Sequence, residues 1–479
     1  MSPLETEHAA AESGLQLDIG RDAALSRATD ILSEAWRSFD RFRVGQPPVD
    51  PKLRELLRLE LPEEGTPTLE AIADAALALD ESIAQPRPRY FAFIGSSGLE
   101  IGVIADALAA CYDINLAVWA GAASEVEVQA VRWAGEFVGF PGESGSFTSG
   151  GTTSNLTALM AARERATPGS RHAGLAARAL ALYCSAEVHY SVVRAAELLG
   201  IGSGRVRALP IDERRRLRPE AVAHAIDADR ADGIVPVAVV ATAGTTLTGA
   251  VDPIDALADI CAERGVWLHV DGAYGLPAAR VPAVAELFRG VDRADSVSID
   301  AHKWLYLPKA CSVVLVRRRG DLQAALGHEE AYLPHDRLEL HAADITLEYS
   351  RPFRALKLWL ALRVHGAAAF RSAIERNLRQ AQLLYERIDA SPDLEPLPFE
   401  PQLSVVPFRH APAGVGDLDA HNAELVRRLQ EGGEFWVAPA KIDGRLYVRP
   451  CIVNFRTSDD DVVAFVEHVE TLGRAIRVV

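Results

Sequence analysis

The sequence predicts an α/β fold, in which a mainly parallel β-sheet is flanked by helices, preceded by a helical segment and followed by a smaller α+β domain. Between residues 145 and 317, short apolar runs alternate with amphipathic stretches of helical length. This alternation is typical of a parallel sheet covered on both faces. We therefore expect a helical segment over residues 1–85, a large α/β domain over 86–365 and a small α+β domain over 366–479.

The N-terminal segment is predicted to be helical because its apolar residues recur every three or four positions, as one face of a helix requires. These residues are Leu25, Ala28, Ile31, Leu32, Ala35 and Phe39. Proline-rich breaks at residues 47–51 and 62–67 separate the helices. The first dozen residues are expected to form a loose tail.

The large domain is predicted from its strands and from a helix between two of them. The apolar runs are 180-ALALYCS-186, 235-VPVAVVAT-242, 266-VWLHVD-271 and 311-CSVVLVR-317, and 252-DPIDALADICAERG-265 has the pattern of an amphipathic helix. Ligands of parallel α/β sheets bind beyond the carboxyl ends of the strands. We therefore expect the functional residues at that edge.

The small domain is predicted to begin with a long helix near residue 366. Two stretches with strand-like alternation follow, 403-LSVVPFR-409 and 446-LYVRPCIVNFR-456, and a last helix starts at about Ser458.

Composition excludes several classes of function. The chain has 479 residues and a formal net charge of −16, which argues against nucleic-acid or anionic-membrane partners because both require basic patches. The longest nearly apolar run, residues 233–243, is too short to span a bilayer. The N-terminus lacks a signal-peptide pattern. Five scattered cysteines without a CxxC motif predict reduced thiols in a cytoplasmic protein and no metal site.

A glycine-rich turn leads into a helix in 145-GSFTSGGTTSNLTALMAAR-163. Backbone N–H groups at such a helix start, here at Gly151 and Thr152, can cradle an anion. Taken alone, the stretch is better explained by an ordinary helix cap from Thr152, Thr153 or Ser154. It contains neither a Walker lysine nor GxGxxG, so a P-loop and a dinucleotide site are not indicated.

Two further residues follow predicted strands. Asp271 ends the run 266–271, where it is either a turn-forming residue or a carboxylate aimed at a cationic ligand nitrogen. His189 follows the run 180–186, where it is either a helix cap or core residue or a flat ring that stacks on an aromatic ligand.

Lys303 lies beside an apolar run in 298-SIDAHKWLYLPKACSVVLVR-317. A lysine there can extend its amine to solvent. A lysine in a partly desolvated site instead has a lowered pKa and becomes a nucleophile that forms a Schiff base. An anion cradle, a stacking ring, a carboxylate for a ring nitrogen and a nucleophilic lysine are the groups that pyridoxal phosphate (PLP) requires. Their combination predicts PLP as the cofactor.

At these positions the sequence resembles the group II PLP-dependent amino-acid decarboxylases, which include the aromatic-L-amino-acid and glutamate decarboxylases. The matching segments run in order from about residue 25 to the C-terminus, and 300-DAHKW-304 is the most specific of them. The others are 88-PRYFAFIGSS-97, 149-SGGTTSN-155, 187-EVHYS-191, 242-TAGTT-246, 269-HVDGAYG-275 and 351-RPFRALKLW-359. The resemblance implies the PLP-dependent transferase fold, known as fold type I, with a seven-stranded type of sheet.

The resemblance also implies a role for each matching residue. Lys303 would bind PLP as a Schiff base, Asp271 would pair with the pyridine nitrogen, and His189 would stack on the ring. Four residues would lie near the phosphate: Gly151, Thr152, Ser296 and His302. Two would lie around the ring and its 3′ oxygen, Thr246 and Ala273. Decarboxylation would end with a proton returned from Tyr332 or His302.

Two positions depart from the family pattern. Several members have asparagine where this chain has Asp300 and proline where it has Ala301. A phosphate contact by residue 300 is therefore not expected. Tyr332 lies in a long polar stretch, 327–344, which is either an active-site loop or a surface connection. A tyrosine at this place favours plain decarboxylation over aldehyde synthesis, and family members are intertwined homodimers with active sites at the subunit interface.

The substrate is less well defined than the cofactor. Six residues occupy stretches that line the side-chain pocket in relatives: Tyr90, Phe91, Asn115, Leu116, Trp119 and Arg449. Arg449 either meets a substrate carboxylate or has a structural role, which we favour. We expect an aromatic L-amino acid first and a small acidic one second. The alternatives are an aldehyde synthase, an aminotransferase or a carbon–carbon lyase on the same fold, or a PLP-binding scaffold without activity.

Overall fold

A computed structural model describes residues 17–39, 49–175, 178–328 and 342–476 of the chain. The α-helices within these ranges are α1 (Arg21–Phe39), α2 (Pro51–Leu56), α3 (Thr68–Asp80), α4 (Glu100–Tyr112), α5 (Ala122–Val138), α6 (Gly151–Ala166), α7 (Ser170–Ala173), α8 (Tyr190–Leu198), α9 (Pro219–Ala231), α10 (Ile254–Arg264), α11 (Arg319–Leu326), α12 (Ala355–Asp389), α13 (Leu418–Gly432) and α14 (Asp459–Arg474). The strands are β1 (Ser144–Thr148), β2 (Leu180–Ser185), β3 (Val206–Leu209), β4 (Val235–Thr242), β5 (Trp267–Asp271), β6 (Ser296–Ile299), β7 (Ser312–Val316), β8 (Leu394–Pro396), β9 (Phe408–His410), β10 (Ala438–Ile442) and β11 (Arg445–Arg449).

The N-terminal segment contains the predicted helices, as α1, α2 and α3. Its apolar face is only partly covered by the residues that the structure describes. Every residue of α1 is at least partly exposed, including Leu25 at 68% and Leu32 at 40%. Leu79 at the end of α3 is 71% exposed.

The central sheet has seven strands in the order β1-β7-β6-β5-β4-β2-β3. Strands β6, β5, β4, β2 and β3 pair in parallel, whereas β7 is antiparallel to both of its neighbours, β1 and β6. The mainly parallel sheet is therefore as predicted, with β7 as an exception that the sequence pattern did not reveal. The reason is the short connection of turns over residues 300–311, because a parallel return to the sheet needs a longer crossover.

Both faces of the sheet are buried, as its continuous apolar strands require. Along β2, Leu180 and Leu182 belong to the core beneath α6 and α8, while Ala181 and Tyr183 belong to the core beneath α9 and α10. Successive side chains of a strand point to opposite faces, so each face contributes to a separate hydrophobic layer.

The second sheet is antiparallel, in the order β10-β11-β9-β8, and packs against α12, α13 and α14. Two predictions about strands are corrected here. The strand expected over 403–409 is confined to Phe408–His410, and the one expected over 446–456 is Arg445–Arg449. The long helix expected from about residue 366 is the second part of α12, because Gly366 has a non-helical backbone with a positive φ of 74° and divides α12 into two helical parts. The domain boundary expected at 365/366 falls at this kink and stays a prediction.

Among the described residues, every helix is too short or too polar to cross a bilayer.

A buried ion pair joins α5 to the segment before α12. Arg351 donates to Glu127 from Nη1 to Oε1 over 2.6 Å, and its Nη2 also donates to the carbonyl of Leu116. The side chains of Arg351 and Glu127 are only 1% and 9% exposed. Removing one member leaves the other charge buried without its partner, which is far more costly than losing a surface pair.

We expect Glu127→Ala to lower the free energy of unfolding by about 3–5 kcal/mol because Arg351 then remains charged and buried. Urea denaturation of the apoprotein measures this. The matched control is Glu136→Ala on the same helix, where Glu136 and Arg132 are 64% and 63% exposed. That change should cost less than about 1 kcal/mol. Equal losses in the two variants would contradict the assigned role of the buried pair.

Candidate active site

A cavity of about 280 Å³ lies at the carboxyl edge of the parallel strands, where β4, β5 and β6 end and α6 begins. It is lined by eight of the predicted residues: Gly151, Thr152, His189, Thr246, Asp271, Ala273, His302 and Lys303. Ile94, Asn155, Asp300 and Lys309 also line it. The tertiary structure therefore gathers into one cavity eight predicted residues that are up to 152 positions apart, from Gly151 to Lys303.

Lys303 lies in the turn after β6, with its side chain 24% exposed. Its Nζ is 2.9 Å from Oδ2 of Asp300. Burial disfavours the ammonium form, but the charge and hydrogen bond of Asp300, together with the charge of Asp271, outweigh burial and raise the pKa of Lys303 above its usual value. This corrects the prediction of a lowered pKa, which considered desolvation without a neighbouring carboxylate.

Asp300 links the lysine to the start of α6. Burial disfavours its charged form, but Lys303, His302 and a hydrogen bond from Ser312 hold the pKa of this carboxyl below its ordinary value. A Cβ on Gly151 would lie 2.9 Å from Oδ2 of Asp300. Glycine at 151 is therefore required by the close approach of this carboxylate to the backbone.

The N-terminus of α6 opens directly to the cavity. Its N-cap residue is Gly150, which has no side chain to bond the first N–H groups. The expected side-chain cap by Thr152, Thr153 or Ser154 does not form. The Thr153 hydroxyl bonds Ser149, and the Ser154 hydroxyl bonds Thr148 and Ser312. The first amides of the helix are thus directed to the cavity, where they can bind an anion.

His189 has one of its two predicted roles, the helix cap, and the stacking role stays a prediction. It is the N-cap of α8, since its Nδ1 accepts from the backbone N–H of Ser191, and its ring also lines the cavity. Burial lowers the pKa of His189, although the nearby charge of Asp271 partly opposes this. The imidazole is therefore neutral near pH 7.

Asp271 is the last residue of β5 and is 6% exposed. Its Oδ2 accepts from Nδ2 of Asn155 over 2.8 Å, and its Oδ1 accepts from the hydroxyl of Ser298 at 3.3 Å and from the N–H of Ala273 at 3.2 Å. The contact with Ala273 is the turn contact expected of an Asp–Gly pair, yet the carboxylate also forms part of the cavity wall. Three donors fix its orientation.

This arrangement fits a flat, anionic, carbonyl-bearing ligand with a basic ring nitrogen. The helix start can take the anion, the His189 ring can cover the flat face, Asp271 can meet the nitrogen and Lys303 can attack the carbonyl carbon. PLP carries all four features.

Comparison with known proteins decides the family. Residues 51–411 match the model of the pyridoxal-dependent decarboxylase conserved domain. The chain belongs to the pyridoxal-dependent decarboxylases. It is 31% identical over 437 residues to an aromatic-L-amino-acid decarboxylase of Bacillus atrophaeus, covering 89% of this chain and 90% of that one. It is 29% identical over 485 residues to the acidic amino acid decarboxylase GADL1 of Bos taurus, covering 94% and 88%.

A solved structure of Oryza sativa TDC with PLP and tryptamine superposes with a TM-score of 0.89 at 26% identity, covering 96% of this chain and 99% of that one. Family membership and this likeness confirm the predicted fold type, the cofactor and the reaction class, a PLP-dependent decarboxylation of an amino acid. The decarboxylase is therefore an enzyme of the predicted kind.

One of the predicted cofactor residues is placed differently by the structure. Ser296 is at the start of β6, away from the carboxyl edge, where its hydroxyl bonds Trp267 and His269 instead of lining the cavity. A residue at the amino end of a parallel strand lies a full strand length from a ligand at the other end. Tyr332 lies outside the described residues, so its predicted role stays a prediction.

The six predicted substrate residues do not meet in this chain. Phe91 packs against Phe435 and Phe465 in the core of the small domain, and Tyr90 and Leu116 are likewise buried away from the cavity. Arg449 donates from Nε to the carbonyl of Thr246 over 2.7 Å, the structural role that we favoured.

Asn115 and Trp119 line two other cavities. The cavity at Asn115 shares Lys309 and Ala310 with the active-site cavity and adjoins it. Sequence reasoning did not select Lys309, Asn155 or Asp300 as cavity residues. The polar alternation of His269 and Asp271 within the apolar run 266–271 was the available signal that this strand face carries a buried polar network.

We expect Asp300→Asn to lower the pKa of Lys303, because it removes the carboxylate that stabilises the ammonium. Only the free amine attacks a carbonyl, and the raised pKa of Lys303 means that this form accumulates as pH rises toward 10.5 and above. In the wild-type apoprotein, the rate of PLP capture should therefore rise with pH between 7 and 9 by up to about tenfold per unit.

In Asp300→Asn the same rise should occur at lower pH, so capture at pH 7.5 is faster than in the wild type. Stopped-flow absorbance measures the rate. Asp443→Asn is the matched control, because Asp443 is 74% exposed on the surface and pairs with Arg215. A pH profile of Asp300→Asn that coincides with the wild type would contradict the assigned ion pair.

Proposed function

We propose that Lys303 binds PLP covalently, that Asp271 pairs with its ring nitrogen and that His189 covers one face of the ring. The observation that carries this proposal is that the Lys303 amine, the Asp271 carboxylate and the His189 ring enter one cavity. The amides of Gly151 and Thr152, with His302, bind the phosphate. Thr246 and Ala273 contact the ring and its 3′ oxygen.

Bound PLP supplies an electron sink for the electrons released when CO2 leaves the substrate. The chain's own residues prepare this sink. Asp271, fixed by Asn155, Ser298 and Ala273, would hold its carboxyl group against the ring nitrogen. Lys303, whose amine pairs with Asp300 in this structure, would hold the cofactor covalently.

We propose that the proton returned to the substrate carbon comes from Tyr332 or from His302. The Nδ1 of His302 lies 2.9 Å from the carbonyl of Cys311 and 3.3 Å from the backbone nitrogen of Cys311. Burial lowers the pKa of His302 despite the opposing charge of Asp300, so the ring carries one hydrogen. If Nδ1 accepts from the N–H of Cys311, that hydrogen lies on Nε2 and can be donated; if Nδ1 donates to the carbonyl, Tyr332 is the acid.

An aromatic L-amino acid is the first proposed substrate. The support is the likeness to an aromatic-L-amino-acid decarboxylase and to a structure that holds tryptamine, together with the apolar side chains of Ile94 and Ala310 in the cavity wall. A small acidic amino acid is the second candidate, which the likeness to an acidic amino acid decarboxylase supports.

Lys309 is the observation that favours the acidic candidate. It lines the cavity with Lys303, and its Nζ donates to Oε1 of Gln85 over 2.9 Å, with no carboxylate partner in the part of the chain that the structure describes. Burial and the charge of Lys303 lower the pKa of Lys309. A substrate carboxylate would neutralise this ammonium.

We also propose that the decarboxylase is a cytoplasmic homodimer with active sites at the subunit interface. The exposed leucines of the N-terminal helices, with Leu25 at 68% and Leu79 at 71%, support a second copy as the covering surface. Light scattering after size exclusion should give about twice the chain mass of 51.7 kDa. Dimers of this kind bury large apolar interfaces.

We expect Lys303→Ala to abolish CO2 release and the near-visible absorption band of bound PLP, because the covalent attachment is lost. Asp271→Ala should retain a band but bind PLP more weakly and turn over at least about 100-fold more slowly, as expected when a buried charge partner is removed.

Product analysis with a panel of L-amino acids identifies the substrate. Peroxide and ammonia formed in equal amount to CO2 would refute simple decarboxylation, and a Lys303→Ala enzyme near the wild-type rate would refute the proposed site.

We expect Lys309→Met to separate the two substrate classes. If an acidic amino acid is the substrate, kcat/KM for it should fall by about 30-fold or more, the cost of about 2 kcal/mol for removing the charge partner of the substrate carboxylate. If an aromatic amino acid is the substrate, its kcat/KM should change by less than about threefold. Steady-state assays on both classes measure this, with Lys441→Met on the small domain as a control.

A further inference from the structure

A continuous row of polar side chains runs through the apolar core between β5, β6 and α6. Trp267, His269 and Asp271 alternate along β5 and therefore lie on one face of the sheet, the face that α6 covers. Only Asp271 reaches the cavity among these three. Trp267 is 4% exposed and His269 is 0% exposed, so their polar atoms must find partners within the protein.

Each contact in the row is short. The indole Nε1 of Trp267 donates to the Ser296 hydroxyl over 2.8 Å, and that hydroxyl lies 2.8 Å from Nδ1 of His269. Nε2 of His269 lies 3.0 Å from Oδ1 of Asn155, whose Nδ2 donates to Oδ2 of Asp271 over 2.8 Å. The row therefore connects the amino end of β5 to the carboxylate at its other end.

Asn155 also begins a branch. Its Nδ2 donates to the hydroxyl of Ser191 over 3.0 Å, and that hydroxyl lies 2.8 Å from Nδ1 of His189. One amide group thus contacts both the carboxylate that meets the cofactor's ring nitrogen and, through Ser191, the imidazole that covers the ring. The side chains of Asn155 and Ser191 are buried.

The direction of the hydrogen bonds is determined by Trp267, because an indole N–H can only donate. The Ser296 oxygen accepts from it, so the Ser296 hydrogen is free to donate to Nδ1 of His269. Burial lowers the pKa of His269 to about 4 against the opposing charge of Asp271, so the ring is neutral and carries its hydrogen on Nε2. That hydrogen goes to Oδ1 of Asn155, which leaves both amide hydrogens for Asp271 and Ser191.

The reversed direction of the hydrogen bonds along this row is disfavoured. If the Asn155 amide turned over, its oxygen would face Asp271, and His269 would have to donate from Nδ1 to Ser296. The Ser296 oxygen would then receive two N–H donors while its own hydrogen lost the acceptor it has in the row. Without the indole of Trp267, the serine could reverse freely and the two directions would become similar in energy.

We propose that Asn155 is a positioning residue that holds Asp271 and His189 in register with each other, and that Trp267, Ser296 and His269 fix the orientation of its amide. This inference rests on the cofactor contacts proposed above for Asp271 and His189. In the fixed direction of the hydrogen bonds, Asp271 always meets a donor from the protein and keeps its orientation toward the ring nitrogen. His189 accepts at Nδ1 and keeps its hydrogen on Nε2.

The test compares pairs of variants by PLP binding to the apoprotein, followed by quenching of tryptophan fluorescence. Asn155→Ala and His269→Leu should each weaken PLP binding by about tenfold, the effect of losing one hydrogen bond to a charged group. His269→Gln is the conservative variant, since its amide N–H lies near the position of Nε2 and can donate to Asn155. It should bind PLP within about threefold of the wild type.

A spectroscopic signature separates positioning from general destabilisation. A charged ring nitrogen disfavours a second positive charge where Lys303 joins the cofactor. If Asp271 is held less firmly beside the ring nitrogen, that nitrogen is charged less often, and the pH at which the near-visible band of bound PLP changes should move upward. We expect this upward shift in Asn155→Ala and His269→Leu, a smaller one in Trp267→Phe, and none in His269→Gln.

Asn422→Ala is the matched control, because Asn422 is a buried asparagine that bonds the backbone of His410 and Leu418 in the small domain. It should lower the thermal midpoint as Asn155→Ala does but leave PLP affinity and the band unchanged. Trp267→Phe keeps an aromatic ring in the core, so it remains informative if Asn155→Ala does not fold.

The inference would be overturned if Asn155→Ala bound PLP with wild-type affinity and its near-visible band changed at the wild-type pH. If Asn155→Ala does not fold, the same result in Trp267→Phe would overturn it. Equal behaviour of His269→Leu and His269→Gln would overturn the part that concerns amide orientation. If Asp271→Ala impairs PLP binding and Asn155→Ala does not, only this inference fails. If Asp271→Ala itself behaves as the wild type, the proposed function of Asp271 fails as well.

Discussion

The parallel register of β4, β5 and β6 is the constraint on which the active site depends. Thr242 pairs with Asp271, and Asp271 pairs with Ser298, so the three strands end in one row. Loops that leave this row must start side by side, which brings Thr246, Asp271 and the Lys303 turn to one cavity. The antiparallel β7 then returns beside β6 and places Ser312 against Asp300. A shift of one residue in this register would turn Asp271 to the other face of the sheet.

The charged side chains that line the cavity are balanced in number, and this balance sets the protonation of its lysine and histidines. Two lysines and two aspartates line it, Lys303, Lys309, Asp271 and Asp300. Asp300 neutralises Lys303 and raises its pKa. The neutral state of the histidines follows from burial, which lowers the pKa values of His189 and His302. A cofactor phosphate adds negative charge to this set, and the helix start at Gly151 offers N–H donors without another side-chain charge.

The polar network behind Asp271 shows how an apolar core can support an ionised group. Each buried polar atom in it has a partner of the correct kind, so desolvation is compensated at every step. Asp271 receives its donors from α6, β6 and its own turn. The site is therefore attached to rigid elements rather than to loops alone, and rigid support of this kind maintains the geometry that catalysis requires.

The sequence predicted the fold class, several of the main strands and the cofactor, and it selected Lys303, Asp271 and His189, which line one cavity. It could do so because strand alternation and residue chemistry are local properties, and because several motifs occur together in order. It misplaced Ser296 and extended the 403–409 and 446–456 strands too far, since strand ends depend on pairing partners. The Lys303–Asp300 pair, the network through Asn155 and the scattering of the substrate candidates were decided only by the tertiary structure. Charges and hydrogen bonds act over a few ångströms in space, and these partners are close only after the sheet has formed.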